Sequence, residues 1–534
     1  MSELRLVPPA LAVWAAALAI IVAGPVWALA IVAVISVCCI LLREPGQAIL
    51  CGGLGACSAA IAWARCVSAR TKEFGETITG TVSGAPKQLE SGNWLVNVNV
   101  SGYPVPVPVF VDDLEDNLPA GTAIEISGSV GESTRPGIGA VTVSGDVDVL
   151  GPPTGFAAFA ARVRGTFASA VEEIVGEHVR GLIPGMVLGD VSMQSPEEKQ
   201  AYIDTGLSHL SAVSGANCMY VATAALLVAG LCRLGLRGQT IAAGIALLVY
   251  AGLVGPEPSV LRATVSGLVG FIAIISSTRA EPIHVLSLSI IGLVLVDSDL
   301  AVNYAFALST AATAGIVVIS PLIYRALAPL GWPDILGKAL SVAIAADLAT
   351  APIIAGMAGR VSLVAVIANV LVSPVVGAVT VLGMAAAILA QFHHILAAPL
   401  LWVIQPLAGW IRMVADTGAR LPATTIEAEP LQAIVVYGWI LAGFIASRPR
   451  LTVAVVAVVV LLGVGMGEQV DVDKRKPFVV ERDTDIEAVP PGTTVIIVRE
   501  GHRDRPTLTP DGIPVIYPYN DLSLIHISEP TRRT

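Results

Sequence analysis

The feature that most constrains this chain is a succession of long apolar runs. Three lie before residue 67, and a longer series follows residue 210. Each of the first three is close to the roughly 20 residues that a helix needs to cross a bilayer. The chain has 54% hydrophobic and 13% charged residues and a mean hydropathy of +0.77, whereas about a quarter of a soluble protein is charged. We therefore predict a multi-pass protein of the cell membrane, in contact with the lipid bilayer.

The apolar runs form two groups. Residues 1–67 contain Pro9–Gly24, Val26–Leu42 and Gln47–Ala64, which predict three N-terminal transmembrane helices. Residues 191–467 are predicted to form a channel-type domain with multiple transmembrane helices. Its runs are Ala212–Cys232, Ile241–Val254, Val260–Ser276, Ile283–Val296, Tyr304–Ile323, Ala339–Met357, Val361–Ala390, Leu431–Ile445 and Thr452–Gly467. The longest, Val361–Ala390, is expected to cross twice with a break near Pro374, or to dip in and return.

Residues 68–153 have a different character, because apolar residues alternate with polar ones as in β-strands. Examples are Trp94–Val100, Val105–Val109 and Ile124–Ile126, with Gly or Asp turns between them. Several short strands in this length predict a small all-β domain, an OB-like barrel, although a sandwich would produce a similar pattern. The aromatic residues Trp94, Tyr103 and Phe110 could stack on bases, but core packing is the expected role for at least two of them.

The charges beside the apolar runs orient the chain. An external β domain places one set of charges in the cytoplasm and another set outside, as the enrichment of Lys and Arg in cytoplasmic loops requires. The cytoplasmic set is Arg233, Arg237, Arg279, Arg325, Lys338, Arg448 and Arg450, and the external set is Glu257, Asp297 and Asp299.

Two further segments have the periodicity of amphipathic helices. Residues 154–190 contain Phe156, Val163 and Phe167 at helical spacing and carry too many charges to span, which predicts an amphipathic helix on the membrane surface or against the channel. A second interfacial helix is predicted for His394–Arg420, whose apolar residues recur at helical spacing with Arg412 and Asp416 on the opposite face.

A polar cluster immediately precedes the apolar run that begins at Cys218. It contains Ser208, His209, Ser211, Ser214 and Asn217. Lipid offers these groups no hydrogen-bonding partner, so they need protein or a wet cavity. Polar residues at such a position are candidates for a functional site.

Further candidates lie within the apolar runs. Arg262 is one turn into its run, where it either snorkels outward or lines a pore and meets phosphate. Asp347 lies nearer the middle of its run and is expected to face a cavity or a partner such as Arg262. The serines and His209 lack a positioned carboxylate, and the histidines do not form a zinc motif. We therefore predict no catalytic residues, no metal site and no cofactor.

Several of these residues form motifs of a known family. Gly206–Gly215, with Leu188–Asp190 upstream and Pro258–Ala263 downstream, resembles the competence domain of the ComEC family of DNA-internalisation proteins. Ala305–Ser309 and Asn369 with Pro374 support the resemblance. It implies an inner-membrane channel for uptake of single-stranded DNA during natural transformation. It also implies two partners, an envelope DNA receptor and a cytoplasmic ATP-driven DNA translocase.

The chain departs from the family pattern in two ways. Many members have His where this chain has Asn217, and many carry a metallo-β-lactamase-like domain whose motifs are not found here. We therefore predict a transport protein and not an enzyme. Residues 468–534 are expected to be an external polar tail. Its segment Leu522–Thr531 looks like translated sequencing-adapter sequence, so we expect the natural C-terminus to be missing.

These observations lead to one hypothesis and two rivals. The net charge of −10 requires any DNA contact to be local. The candidate contact residues are Asp190, Ser208, His209, Ser214, Asn217, Ser259, Arg262 and Asp347, several of them at the mouth of a hydrated conduit. The rivals are a secondary transporter for a small solute, with Asp347 coupling to ions, and a membrane scaffold without a transport role.

Overall fold

The fold is taken from a computed structural model of the chain. It describes residues 4–75, 77–89, 93–114, 118–211, 213–278, 281–421, 424–446, 448–452, 454–456 and 458, and four strands between residues 477 and 516. Much of the run Thr452–Gly467 and the segment Leu522–Thr531 lie outside the described residues. Residues 1–464 form one compact unit and residues 465–534 form another.

The first unit begins with three helices, α1 (Val7–Val22), α2 (Pro25–Leu41) and α3 (Pro45–Thr71). Each has proline in its first turn, where the missing N–H would have had no partner within the helix. Small residues such as Ala12 and Ala16 are buried where the helices pack, and Ser58 donates to the carbonyl of Val13. Close approach through small residues is the usual way in which apolar helices associate in lipid.

Six strands follow: β1 (Thr77–Val82), β2 (Lys87–Gln88), β3 (Trp94–Val100), β4 (Val107–Val111), β5 (Ala123–Glu132) and β6 (Val141–Gly151). Strand β1 pairs with both β3 and β5, which closes a five-stranded barrel in the order β1–β3–β4–β6–β5. Strands β4 and β6 are parallel, and β2 extends the sheet beside β3. The closed barrel confirms the OB-like prediction over the sandwich. Tyr103 and Trp94 pack in or against its core, as expected.

The remaining helices of this unit are α4 (Gly155–Ile174), α5 (Glu177–Arg180), α6 (Leu182–Leu188), α7 (Pro196–Asp204), α8 (Gly215–Leu231), α9 (Leu236–Val254), α10 (Pro258–Ile275), α11 (Pro282–Val296), α12 (Tyr304–Val318), α13 (Ser320–Leu327), α14 (Asp334–Ala358), α15 (Ala365–Ala390), α16 (His394–Ala419) and α17 (Pro430–Ile445). Strands β7 (Arg360–Ser362) and β8 (Thr425–Glu427) pair with each other. Short 3-10 turns occupy Ser298–Val302 and Ala328–Leu330.

Six of the described helices are long and apolar enough to cross a membrane: α3, α9, α10, α14, α15 and α16. The pair of α12 with the segment Ser320–Leu330, bent by 43°, adds a seventh if it is counted as one span. The shorter apolar helices α1, α2, α8, α11 and α17 have 15 to 17 residues. Together these helices support the prediction of a multi-pass membrane protein.

The structure corrects the prediction for residues 361–420. Pro374 does not break the longest run, because α15 continues through it as one helix of 26 residues. Helix α16, predicted as interfacial, is also 26 residues long and apolar enough to span, and it packs along α15. Its charges Arg412 and Asp416 pair with each other, which removes the reason for keeping it at the surface.

The structure also shortens the amphipathic helix predicted for residues 154–190. Helix α4 ends at Ile174, and α6 follows as a separate helix whose residues are all buried. Helix α4 packs against α9, α15 and α16, so it lies against the helical domain. Phe156 contacts Gly252 of α9 closely enough that a Cβ there would lie 2.5 Å from its ring.

Two aspartates attach the barrel to the helices. Asp297, after α11, forms a 2.8 Å ion pair with Arg65, whose guanidinium also donates to the carbonyl of Pro104. Asp299 accepts a hydrogen bond of 2.7 Å from the backbone N–H of Ile138 in the barrel. Burial raises the pKa of the Asp299 carboxyl, and the hydrogen bond from Ile138 partly offsets the rise. The carboxylate form of Asp299 is therefore less favourable in the folded protein than in water.

We expect Asp299→Asn to stabilise the docked barrel at pH 7, and Asp299→Ala to destabilise it by about 1–3 kcal/mol because Ile138 loses its acceptor. A raised folded pKa means that the contribution of Asp299 to stability is present at low pH and is lost as the pH rises through that pKa. The stability that Asp299→Asn gains over the native chain should therefore be smaller at low pH, where Asp299 is protonated. Thermal unfolding in detergent at pH 7 and pH 4 measures both effects. Equal stability of Asp299→Asn and Asp299→Ala would mean that the hydrogen bond from Ile138 does not hold the barrel in place.

The second unit contains the strands β9 (Pro477–Arg482), β10 (Val495–Glu500), β11 (Thr507–Leu508) and β12 (Pro514–Ile516). Their order in the sheet is β11–β12–β10–β9, with β10 parallel to both β9 and β12. Strand β10 overlaps the segment Thr493–Val498 that looks strand-like in the sequence.

Candidate functional site

The polar segment before α8 begins at Gly206, which docks on the first turn of α15. Gly206 has a φ of +69°, and a Cβ at this position would lie 2.6 Å from the Cβ of Ala365. Only glycine adopts this backbone conformation without strain and also leaves this space free. The amide of Asn369 donates to the carbonyl of Ala365 and, at 3.5 Å, to that of Gly206. This contact positions the residues that follow.

Asn217 ties the segment to the buried helix α6. The last carbonyls of a helix have no partner within it. Asn217 donates to the carbonyl of Met186 at 2.6 Å, and the hydroxyl of Tyr250 donates to that of Val187 at 3.1 Å. Hydroxyls of Ser214 and Thr380 lie 3.3 and 3.4 Å from the Asn217 side-chain oxygen. Asn217 is 3% exposed, so the structure places it in helix packing and not on an open surface.

Arg262 lies beside the first turn of α8. It is 7% exposed, so it does not snorkel outward, and its Nε donates to the hydroxyl of Ser309 at 2.9 Å. Its terminal nitrogen lies 3.3 Å from the place that a Cβ on Gly215 would occupy. Among the described residues, no carboxylate lies within ion-pair distance of it. Ser259, one turn earlier on α10, donates to the carbonyl of Val213.

The surroundings of Arg262 are electropositive. A helix N-terminus carries a partial positive charge on its free N–H groups, and α8 begins at Gly215 beside the guanidinium. A buried cation without a counter-ion is unfavourable, and the adjoining dipole increases the cost. The arrangement therefore favours an anion at this place, and a planar guanidinium suits phosphate oxygens.

Ser208 and His209 differ from these residues because both are exposed. The hydroxyl of Ser211 donates to the backbone carbonyl of Ser208. His209 lies outside the helices, in the segment between α7 and α8. An exposed imidazole is mainly neutral at pH 7, so His209 offers hydrogen bonds more than charge.

Comparison with known protein families fits this geometry. Residues 186–451 match the family model described as Competence protein. These residues belong to the competence protein family. The family, that of ComEC, indicates involvement in DNA uptake. No curated protein and no solved structure matches the chain.

Two predicted residues lie apart from the Arg262 cluster of the competence domain. Asp190 accepts hydrogen bonds from the backbone and the hydroxyl of Ser192, at 3.1 and 2.6 Å, and so closes its own turn. Asp347 has Tyr437 of α17 as its hydrogen-bonding partner, in place of the expected Arg262. In the part of the chain that the structure describes, no cluster of three or more His, Cys, Asp or Glu residues could hold a metal ion.

The sequence interpretation missed a buried charge network that holds α7 on α16. Arg412 pairs with Glu198 and, through its Nε, with both carboxylate oxygens of Asp416 at 2.9 Å. Glu198 also completes a capping box with Ser195 at the start of α7. The capping box is visible in the sequence as S-x-x-E, but its pairing with a residue 214 positions later has no local signal.

Proposed function

We propose that the competence domain forms an inner-membrane channel for single-stranded DNA and that Arg262 contacts a backbone phosphate on the way. The observation that carries this proposal is a buried guanidinium beside the N-terminus of α8, with a hydroxyl partner but, among the described residues, no carboxylate partner. A phosphodiester supplies the missing negative charge. Because the contact is with phosphate, it is independent of base sequence.

Sparse positive charge suits passage better than dense charge. Conduction requires binding that is strong enough for entry and weak enough for release. The described polar groups near Arg262 include the neutral hydroxyl of Ser309, which accepts from it, and that of Ser259, one turn earlier on α10. The exposed Ser208 and His209 offer further neutral contacts ahead of them. A strand would therefore meet one charged contact among several weak ones.

The barrel is proposed to guide DNA by its position and not by base stacking. Two of its aromatic residues, Trp94 and Tyr103, pack in or against its core, and the Tyr103 hydroxyl accepts from Ala140. Asp299 fastens the barrel to the turn that directly precedes α12, the helix that carries Ser309. An envelope receptor would deliver DNA on this side, and an ATP-driven translocase would pull it from the cytoplasm.

The polar residues of the domain support transport and not catalysis. The hydroxyl of Ser214 lies 3.3 Å from the side-chain oxygen of Asn217. Among the described residues it does not form the hydrogen bond to His209 that a nucleophile–base pair would need. We therefore propose that this chain is not an enzyme.

Arg262→Ala should lower DNA uptake about tenfold or more, because a charge-assisted contact contributes about 1.5–3 kcal/mol. Arg262→Lys should retain part of the uptake, since lysine keeps the charge but not the planar fork. Uptake of labelled DNA by cells that depend on this chain for transformation measures both, with the amount of protein in the membrane checked by immunoblotting. Arg237→Ala, which removes an exposed arginine, is the matched control. Unchanged uptake in Arg262→Ala would overturn the proposal.

The same cells distinguish the channel from a small-solute permease. Asp347 is the residue on which a permease would depend, and it contacts Tyr437 away from Arg262. Asp347→Asn should leave DNA uptake above half of the native level. Normal DNA uptake in both Arg262→Ala and Asp347→Asn would favour the permease, because a carrier of small solutes does not move DNA.

A further inference from the structure

Among the described residues, six buried hydroxyls of the competence domain have no hydrogen-bonding partner: those of Tyr202, Thr264, Ser266, Ser298, Thr310 and Ser362. Ser266 of α10 lies one turn beyond Arg262, and Thr310 of α12 directly follows Ser309. Several other buried helical hydroxyls of this chain donate to the carbonyl four residues earlier. Examples are Thr240 to Leu236, Ser287 to Ile283 and Ser341 to Gly337. An unsatisfied buried hydroxyl is unfavourable, and Ser266 is the one that lies on the same side of α10 as Arg262.

Ser266 lies one turn beyond Arg262 on the same side of α10, since residues four apart in a helix are neighbours. Thr313 similarly follows Ser309 on α12, next to Thr310. Helices α10 and α12 pack together, and the hydrogen bond from Arg262 to Ser309 joins them. The polar side of α10 therefore continues along the contact with α12 beyond the Arg262 site.

This contact also lies between two hydrophobic cores. Val260 and Ala263 of α10 pack into the core formed with α6, α8, α9, α15 and α16. Leu261 and Val265 pack into the other core, which contains α1, α11 and Phe306 of α12. On a helical wheel Arg262 and Ser266 fall between these two apolar sides. The two groups of helices thus meet along a line of polar residues.

We propose that the contact between α10 and α12 is the line along which the channel parts, held closed by the hydrogen bond from Arg262 to Ser309. The proposal rests on the proposed function and adds where the path opens. Parting of the two helices exposes Ser266 to water, which supplies its missing partner. A phosphate bound to the guanidinium competes with Ser309 for the same group, which links the cargo to opening.

The accessibility of Ser266 tests this proposal without DNA. In a chain whose native cysteines are replaced by alanine, Ser266→Cys is exposed in membranes to the hydrophilic thiol reagent methanethiosulfonate ethyltrimethylammonium. Adding Ser309→Ala removes one hydrogen bond and should speed labelling about tenfold, since a bond of this kind contributes about that factor to an equilibrium. Adding Ser309→Thr instead keeps the hydroxyl and should leave labelling slow.

Ser287→Cys in the same backgrounds is the control, because Ser287 is buried on the neighbouring α11 and has its own backbone partner. An unchanged rate for Ser266→Cys would overturn the proposal, and so would an equal rise for Ser287→Cys, which indicates general loosening. Because no DNA is present, this outcome is separate from the uptake test. If Ser309→Ala speeds the labelling of Ser266→Cys while DNA uptake stays normal in Arg262→Ala, the helices part along this contact but Arg262 does not bind DNA.

Discussion

Arg412→Leu is expected to lower the free energy of unfolding by about 3–5 kcal/mol, the cost of removing one partner of a buried ion pair. The side chain of Glu198, 8% exposed, would then be charged and buried without its counter-ion. Its other oxygen is held by the capping box at the start of α7, so it cannot easily turn toward water. Detachment of α7 from α16 should therefore accompany the loss. Unfolding in mixed detergent micelles, followed by tryptophan fluorescence, measures the change.

Two comparisons separate the ion pair from other causes. Glu198→Gln keeps the capping box, because glutamine serves at that position, and should cost less than Arg412→Leu. Lys338→Ala breaks an exposed pair with Asp334, whose side chains are 63% and 66% exposed, and should cost under about 1 kcal/mol. If Arg412→Leu is no more harmful than Lys338→Ala, the pair with Glu198 is not what holds α7 in place.

Much of the fold follows from the sequence because hydrophobic length and period are local signals. Alternation between Thr77 and Gly151 is enough to indicate the barrel, and apolar runs indicate the helices. The predictions were wrong where contacts with distant parts of the chain determine the structure of a segment. Pro374 is tolerated inside α15 because neighbouring helices can compensate for the lost hydrogen bond. Arg412 and Asp416 marked α16 as interfacial only while their pairing within the protein was unknown.

The candidate site was predictable in its members but not in their roles. The polar residues from Ser208 to Asn217 and Arg262 stand out against apolar surroundings in the sequence. The structure brings Ser214, Ser259 and Arg262 to the neighbouring ends of α8 and α10. It gives Asn217 a different task, capping of α6, because a short buried helix leaves carbonyls that only a distant side chain can satisfy. That need cannot be read from the residues around Asn217.

Gly206→Ala is the second substitution with a large expected effect. Two costs add at this position. Its φ of +69° costs about 1–2 kcal/mol for a residue with a Cβ. A Cβ would also lie 2.6 Å from the Cβ of Ala365 and 3.3 Å from its Cα, and such overpacking costs about 1–3 kcal/mol. The sum should appear as lower stability and, because Gly206 positions the segment leading to Asn217, as reduced uptake.

Gly331 allows the two costs to be measured separately. It has a φ of +72°, but nothing lies within 4 Å of the place where its Cβ would be. Gly331→Ala should therefore show the backbone cost alone, and the excess in Gly206→Ala reports the contact with α15. Adding Ala365→Gly to Gly206→Ala removes the closest overlap. The double variant should therefore recover the excess loss of stability but keep the backbone cost. Equal losses in Gly206→Ala and Gly331→Ala would mean that α15 yields freely, and then the first turn of α15 could not be what positions the polar segment before α8.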